Sequence, residues 1–301
     1  MRRFWPLLLF VIIFVIAWLA NHQEIKQQSA NTPQRIISLA PSITETLFAL
    51  DLADNIVAVT DYCDYPPAAL SLPKVGGFVD ANLEAIIALR PGLVIVLAQQ
   101  QTTIAQLKQL NIATLVVRNT TLAEIKQAMI QIGQATGKTE QALSLLAEMD
   151  NVITNIEKKL QGLDRPNMLV SIGHSLNNNQ LNTIYIAGQH DFYNDLIVLA
   201  GGHNVYQDQN LKVPSLSLEG VIQLNPQIII DIFPDADDHD DDLENIMQKW
   251  QALPYIDAVD NKRVYIVEAS YATIPGPRIV LLLNQFARFI HPEVNWDELP
   301  S

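Results

Sequence analysis

Apolar residues along the chain alternate between short unbroken runs and runs with helical spacing. Leu93–Leu97 is apolar at every position, which is typical of a strand buried on both faces. Pro41–Ser42 predicts a helix start, with Ser42 as N-cap and Glu45 as its capping-box partner. The same rhythm predicts further strands over Arg35–Leu39, Ile56–Val59 and Thr114–Val117, and further helices over Leu83–Leu89 and Thr103–Leu110. This succession predicts a parallel sheet covered by helices on both sides.

The middle of the chain has a longer helical pattern. Apolar residues keep a helical period from Leu122 to Gly133, and the period resumes after Gly137 and continues to Leu160. The second helix is more than about 20 residues long by this pattern, and Gly162 closes it. A helix of this length inside an α/β chain predicts a bridge between two lobes.

The alternation restarts beyond the bridge. Strands are predicted at Met168–Ile172, Thr183–Ala187, Ile228–Ile232 and Val264–Val267, and helices at Phe192–Leu199, Leu218–Leu224, Leu243–Gln251 and Pro277–Ile290. The segments Asn82–Ile95 and Ser217–Ile230 share one pattern: Leu-Glu at a helix start, then a proline, then a buried strand. We therefore expect two similar lobes with a ligand cleft between them.

The N-terminus differs from the rest of the chain. Arg2 and Arg3 precede an apolar run from Phe4 to Ala20, which is the pattern of an export signal or of an uncleaved signal anchor. The predicted organisation is therefore a signal segment (1–22), a polar tether (23–34), an N-terminal α/β lobe (35–136), a bridging helix (137–163) and a C-terminal α/β lobe (164–301). This predicts an exported, periplasmic protein, with tethering to the inner membrane by residues 4–20 left open.

Composition and charge narrow the range of partners. The chain is 49% hydrophobic with a formal net charge of -13, so it reads as a globular protein without the basic face that nucleic acid requires. An anionic membrane surface is disfavoured for the same reason, apart from the N-terminal segment itself. Cys63 is the single cysteine, so no internal disulfide is possible.

Several runs resemble one family. The segments that carry the resemblance are Arg35–Glu45, Asp61–Pro67, Val75–Phe78, the two Leu-Glu repeats, Ala200–Val205 and Pro275–Arg278. They are similar to segments of ABC-transporter periplasmic binding proteins for cobalamin, ferric siderophores and haem, over about residues 34 to 292. The resemblance implies a Rossmann-like lobe at each end of a long helix, and an ABC permease as partner. Corrinoid is favoured slightly as ligand, with a ferric siderophore or haem as the alternative.

The resemblance also suggests functional residues. Glu84 and Glu219 occupy equivalent first-turn positions and are candidates for docking onto arginine pockets of the permease. Six residues are candidates for lining the cleft: Tyr62, Phe78, Gln99, Gln100, Tyr271 and Arg278. The aromatic rings suit a flat or apolar chelate, and Arg278 suits an acidic group on the ligand.

Other chemistry finds less support in the sequence. The run Asp235–Asp242 offers oxygen ligands for a cation but reads more simply as a solvated loop. His174, His190 and His203 all lie in the second half, which disfavours a bare metal ion held between two lobes. No nucleophile elbow or phosphate loop is present, so no enzymatic activity and no cofactor are expected. An anchored sensor or accessory binding module, or a metal-dependent hydrolase, stays as an alternative class.

Overall fold

Four parallel strands form the sheet of the first lobe. The computed structural model describes residues 35–177, 180–233 and 243–296. The strands lie in the order β2-β1-β3-β4, and their bounds are β1 Ile36–Ser38, β2 Ile56–Val59, β3 Leu93–Leu97 and β4 Thr114–Val117. The parallel pairing confirms the βαβ alternation that the sequence predicts.

Three helices of the first lobe connect these strands: α1 Pro41–Ala49, α2 Leu83–Ala88 and α3 Gln101–Gln109. The capping box predicted at Ser42 is wrong. Ala40 is the N-cap, Pro41 takes the first helical position, and Ser42 lies buried inside the helix. Proline is suited to that position because its missing N–H would have no helical partner. The carboxylate of Glu45 is thus free for another contact.

Two consecutive helices lie between the lobes: α4 Leu122–Thr136 and α5 Thr139–Lys159. Gly137 ends α4 with a left-handed φ of 71°. Gly133 allows the helices to approach, because a Cβ there would lie 2.6 Å from the Cβ of Ala142. Residues of both helices contribute to the core of each lobe. The 21-residue α5 lies inside the predicted bridge, whose bounds stay a prediction.

The second lobe has a mixed sheet with the strand order β10-β9-β5-β6-β8. The bounds are β5 Asn167–Asn177, β6 Gln180–Ile186, β7 His203–Asn204, β8 Ser215–Ser217, β9 Ile228–Ile232 and β10 Val264–Val267. The short β7 pairs with β5. β5 runs parallel to β9 and antiparallel to β6. Only two residues separate β5 from β6, so the chain forms a hairpin there in place of a helical crossover.

Five helices cover this sheet: α6 Phe192–Leu199, α7 Leu218–Leu224, α8 Leu243–Gln251, α9 Asp257–Asp260 and α10 Ile279–Ile290. The predicted start of the last helix at Pro277 is two residues early, since Arg278 is the N-cap. The predicted bounds of α6, α7 and α8 are confirmed.

The two Leu-Glu segments have matching geometry. The N-caps Asn82 and Ser217 each accept a hydrogen bond from the backbone N–H three residues later. The residues before the two prolines, Arg90 and Asn225, both have left-handed φ values, of 47° and 43°. Both segments then enter a fully buried strand that pairs in parallel with the first strand of its lobe. The lobes are therefore similar in this central part and differ at one sheet edge.

Two predicted segments lie outside the described residues: the export segment with its tether, and the acidic run Asp235–Asp242. Within the described ranges, no helix combines the length and apolar character needed to cross a membrane.

Candidate ligand cleft

Contacts between the lobes are made by segments that follow the carboxyl ends of strands. α1 follows β1, α4 follows β4, and the turn at Gly276 follows β10. A Cβ on Gly276 would lie 3.3 Å from Cα of Ser42, so the two segments approach closely at this glycine. On the other side, the backbone N–H of Leu122 donates to Asp195 Oδ2 of α6 at 2.7 Å. The cleft therefore lies at the carboxyl ends of the sheets, where α/β proteins usually bind ligands.

An ion pair joins the lobes at the floor of this cleft. Arg278 Nη2 donates to Glu45 Oε1 at 2.6 Å, and Nε donates to Glu45 Oε2 at 3.0 Å. The guanidinium carbon lies 3.7 Å from the ring centroid of Tyr65 and 5.7 Å from that of Tyr271. The side chain of Glu45 is 2% exposed and that of Arg278 is 13% exposed. The pair is therefore bidentate and largely shielded from water.

Burial and the opposite charge of the partner have opposing effects on the pKa values of Glu45 and Arg278. Burial raises the pKa of Glu45, and the hydrogen bonds from Arg278 only partly offset that effect. Burial alone would lower the pKa of Arg278, but the bonds from Glu45 hold it above its ordinary value. The guanidinium therefore stays charged, and its charge is met inside the protein.

Next to the pair, the first lobe presents a short chain of polar side chains. Gln99 Nε2 donates to Asn119 Oδ1 at 3.3 Å, and Asn119 Nδ2 donates to Ser42 Oγ at 3.3 Å. Gln99 is exposed, whereas Asn119 and Ser42 are buried. The role of Gln99 in ligand binding stays a prediction.

Gln100 and Phe78 have internal contacts. The amide of Gln100 donates to the carbonyl oxygens of Leu39 and Phe78, and its oxygen accepts from the backbone N–H of Leu97. Phe78 packs against the first-lobe core. Gln100 is 5% exposed, and its contacts hold the loop that carries Phe78.

The remaining predicted aromatic residues, Tyr62 and Tyr271, differ in their exposure. Tyr62 is 67% exposed and its ring lies beside Gly77. Tyr271 is half-buried and donates to Gln285 Oε1 at 3.3 Å. Tyr65 was not among the candidates, although it lies in the same Asp61–Pro67 segment. The structure therefore brings Arg278 and Tyr271 together with Glu45 and Tyr65, and leaves Tyr62 exposed beside Gly77.

A side pocket of about 360 Å³ opens next to the ion pair. It is lined by Glu45 and Arg278, and by apolar side chains of α1 and α10 that include Phe48, Val280 and Leu281. The pocket places apolar surface beside a neutralised charge pair.

The second lobe contributes two carboxylates at the start of α6. Asp191 caps the helix by accepting from the backbone N–H of Tyr193 at 2.9 Å. Burial raises the pKa of Asp191 to about 6, and the charge of Asp195 adds to this effect. Burial also raises the pKa of Asp195.

A buried polar group in the second lobe was missed at the sequence level. Asp231 in β9 is fully buried and accepts from Trp250 Nε1 at 2.7 Å, while His174 Nδ1 lies 3.6 Å from its Oδ2. Burial raises the pKa of Asp231. Ser171 lies beside Asp231 in the paired strand. The signal was a lone aspartate in the apolar run Ile228–Ile232.

The predicted docking residues lie on exposed first turns. Glu84 in α2 and Glu219 in α7 are both exposed. The backbone N–H of Glu219 and the hydroxyl of Ser217 hold the pKa of Glu219 below its usual range. Two carboxylates at equivalent places on two lobes form a matched pair of negative charges.

Among the described residues, no group of three or more histidine, cysteine, aspartate or glutamate side chains is placed to hold a metal ion. Cys63 is buried, with its sulfur 3.1 Å from the hydroxyl oxygens of Thr44 and Thr60.

Fold and cleft together define a two-lobed binding protein whose lobes are similar α/β units. The chain belongs to the periplasmic binding protein family, because the family's sequence profile matches residues 36–271. This is the family of ABC-importer binding proteins to which the sequence motifs pointed.

Known relatives agree with this assignment. The chain is 27% identical over 270 residues to the uncharacterized ABC transporter substrate-binding lipoprotein YvrC of Bacillus subtilis, covering 87% of this chain and 81% of YvrC. It is 27% identical over 259 residues to the vitamin B12-binding protein of Vibrio cholerae, covering 85% and 89% of the two chains.

Solved structures share the fold. The periplasmic vitamin B12-binding protein BtuF of Vibrio cholerae superposes with a TM-score of 0.72 and 25% identity, over 86% of this chain and 97% of BtuF. S. aureus IsdE complexed with heme gives a TM-score of 0.71 at 24% identity, over 85% and 98%. The second likeness concerns the fold alone.

Proposed function

We propose that this protein binds a corrinoid in the interlobe cleft and delivers it to an ABC permease in the inner membrane. The observation that carries the proposal is the cleft itself, which has exposed aromatic and amide side chains and no unmatched charge at Arg278. A corrinoid is a large ring rimmed by neutral amides. A cleft that offers Tyr62 and Gln99 suits such a ligand.

The charges in the cleft favour a corrinoid over haem. Haem carries two carboxylates, and a free arginine would favour it. Here Arg278 is already bound by Glu45, and Asp191 and Asp195 add acidic groups on the second lobe. The identity to vitamin B12-binding relatives supports the same choice. A ferric siderophore or haem is the second candidate, because Tyr62 and Tyr271 also suit an aromatic or apolar chelate.

Delivery is proposed to use Glu84 and Glu219 as contacts for the permease. Each carboxylate is exposed, and arginine fits such a group with two parallel hydrogen bonds. We further propose that residues 1–22 direct export, so that the lobes lie in the periplasm. Whether this segment anchors the protein is a separate question, answered by fractionating cells and determining the N-terminal residue of the mature chain.

Calorimetric titration of a chain beginning at residue 31 tests the ligand. We expect saturable one-to-one binding of cyanocobalamin and weaker binding of haem and ferric siderophores. Tyr62→Ala should weaken the binding of cyanocobalamin about tenfold, as expected for loss of one aromatic contact. Binding of an iron chelate without binding of cyanocobalamin would reverse the ligand assignment and leave the transport assignment in place.

A further inference from the structure

One guanidinium joins the two lobes at the cleft floor. Arg278 belongs to the second lobe, and it binds both carboxylate oxygens of Glu45 and the ring face of Tyr65, which belong to the first. Among the described residues of its own lobe, Arg278 contacts Ser270 Oγ at 3.5 Å and the ring of Tyr271. The strongest contacts of this side chain therefore cross the cleft.

The surroundings favour a fixed arrangement. Gly276 brings the turn before Arg278 into direct contact with the first turn of α1. At the other side of the floor, Asp195 accepts from the first backbone N–H of α4. Rotation of one lobe against the other would separate these atoms, because each contact has one partner in each lobe.

Burial makes the ion pair costly to break. Its side chains are 2% and 13% exposed, so neither is fully hydrated while the lobes are together. An exposed pair contributes little to stability, whereas removal of one partner from a buried pair leaves an uncompensated charge. If the lobes moved apart at this point, Glu45 and Arg278 would either separate or become hydrated.

We propose that Glu45 and Arg278 form an interlobe clasp that fixes the separation of the lobes. Its consequence for transport rests on the proposed function: release of the ligand to the permease requires the clasp to open. The clasp itself concerns only the geometry of the chain without ligand. Glu45 and Arg278 are positioning residues in this role.

The test measures the distance between the lobes in the full chain purified in detergent. Nitroxide labels are placed on cysteines introduced at Asp54 and Tyr255, which are exposed and lie in different lobes. In the parent protein without ligand, we expect a single narrow distance distribution. Glu45→Gln and Arg278→Gln should each broaden the distribution and add a second, different mean distance.

Two further variants make the result specific. Exchange of the charges in Glu45→Arg/Arg278→Glu should restore at least part of the narrow distribution, which loss of packing alone would not do. Glu124→Gln removes a carboxylate that pairs with Arg118 at 2.5 Å inside the first lobe and should leave the distances unchanged. Circular dichroism of each variant verifies that the lobes are folded. If Glu45→Gln unfolds the chain, Glu45→Asp, which shortens the reach to Arg278, should give the same broadening in smaller degree.

Narrow, parent-like distributions in folded Glu45→Gln and Arg278→Gln would overturn the clasp. The outcome is independent of ligand identity. Failure of cyanocobalamin to bind would contradict the proposed ligand but would not change the distances between the labels. Conversely, parent-like distances in the variants would contradict the clasp but would not affect a measured affinity for cyanocobalamin.

Discussion

The central strands β3 and β9 have equivalent places in the two lobes but different interiors. Each follows a Leu-Glu helix and a proline, and each pairs in parallel with the first strand of its lobe. β3 reads Leu-Val-Ile-Val-Leu, and β9 reads Ile-Ile-Ile-Asp-Ile. The same backbone therefore encloses Val96 in one lobe and Asp231 in the other, both fully buried.

The difference shows what a buried carboxylate requires. Asp231 receives a hydrogen bond from Trp250 and has His174 nearby, on neighbouring elements of the second lobe. Around Val96 the first lobe has an apolar cluster that includes Ile37, Val94 and Leu107. A buried carboxyl group is tolerated where a side-chain donor meets it, and the repeated backbone by itself supplies no such donor.

Of the changes considered, Val96→Asp is expected to have the largest effect on the free energy of unfolding. This change places a carboxylate in an apolar core without donors, and we expect a loss of about 4 kcal/mol or more in the free energy of unfolding, or failure to fold. Urea unfolding measures it. Val116→Asp on the neighbouring strand β4 is the matched control, because Val116 is 39% exposed and the change there should cost far less. If Val96→Asp and Val116→Asp lowered the free energy of unfolding equally, the interior of the first lobe would not differ from its surface in its tolerance of a carboxylate.

Removal of the carboxylate from the second lobe should also destabilise the protein. Asp231→Ala leaves the Trp250 N–H buried without an acceptor, at an expected cost of about 1–3 kcal/mol. Asp231→Asn retains a side-chain oxygen for Trp250 and should cost less. Urea unfolding of the two variants distinguishes them. An alanine variant as stable as the parent would show that the buried polar group can be dispensed with.

A third prediction concerns pH and the first turn of α6. The pKa of Asp191 is about 6, above its model-compound value of 3.8, so folding favours the protonated acid. Its contribution is full below pH 3.8 and is lost as pH rises through about 6. Asp191→Asn keeps the capping oxygen and should be more stable than the parent at pH 8, by at most about 3 kcal/mol.

The measurement is the difference in urea-unfolding free energy between Asp191→Asn and the parent at pH 4, 6 and 8. The difference should be near zero at pH 4 and grow toward pH 8. Asp54→Asn, at an exposed position of the first lobe, is the control and should show no such trend. A constant difference at all three pH values would argue against the raised pKa.

The smallest effect on the protein itself is expected from the exposed glutamates. Glu84→Gln and Glu219→Gln should leave ligand affinity within about twofold, because neither lies at the cleft floor, and change stability by less than about 0.5 kcal/mol. Uptake into cells should fall with each single change and further with both. Glu157→Gln, exposed on α5, is the control. Normal uptake by the double variant would favour a sensor or accessory module over a transport component.

Much of the fold is predictable from the sequence because its signals are local. The apolar runs gave the bounds of β2, β3, β4, β9 and β10 as the structure has them. The predicted strands Met168–Ile172 and Thr183–Ala187 differ in their bounds from β5 and β6, because strand ends that carry polar residues give a weak pattern. The role of Glu45 was missed because its partner Arg278 is 233 positions away.

The sequence by itself determined the alternation of strands and helices, the repeat that makes the lobes similar, and the motifs that identify the family. These depend on residue type and short spacing. Only the tertiary structure decided which side chains meet. It paired Glu45 with Arg278 across the cleft, used the amide of Gln100 inside the first lobe, and surrounded Asp231 with Trp250 and His174. The physical reason is that an ion pair or a buried hydrogen bond depends on distances between segments, and those distances are fixed only when the elements pack.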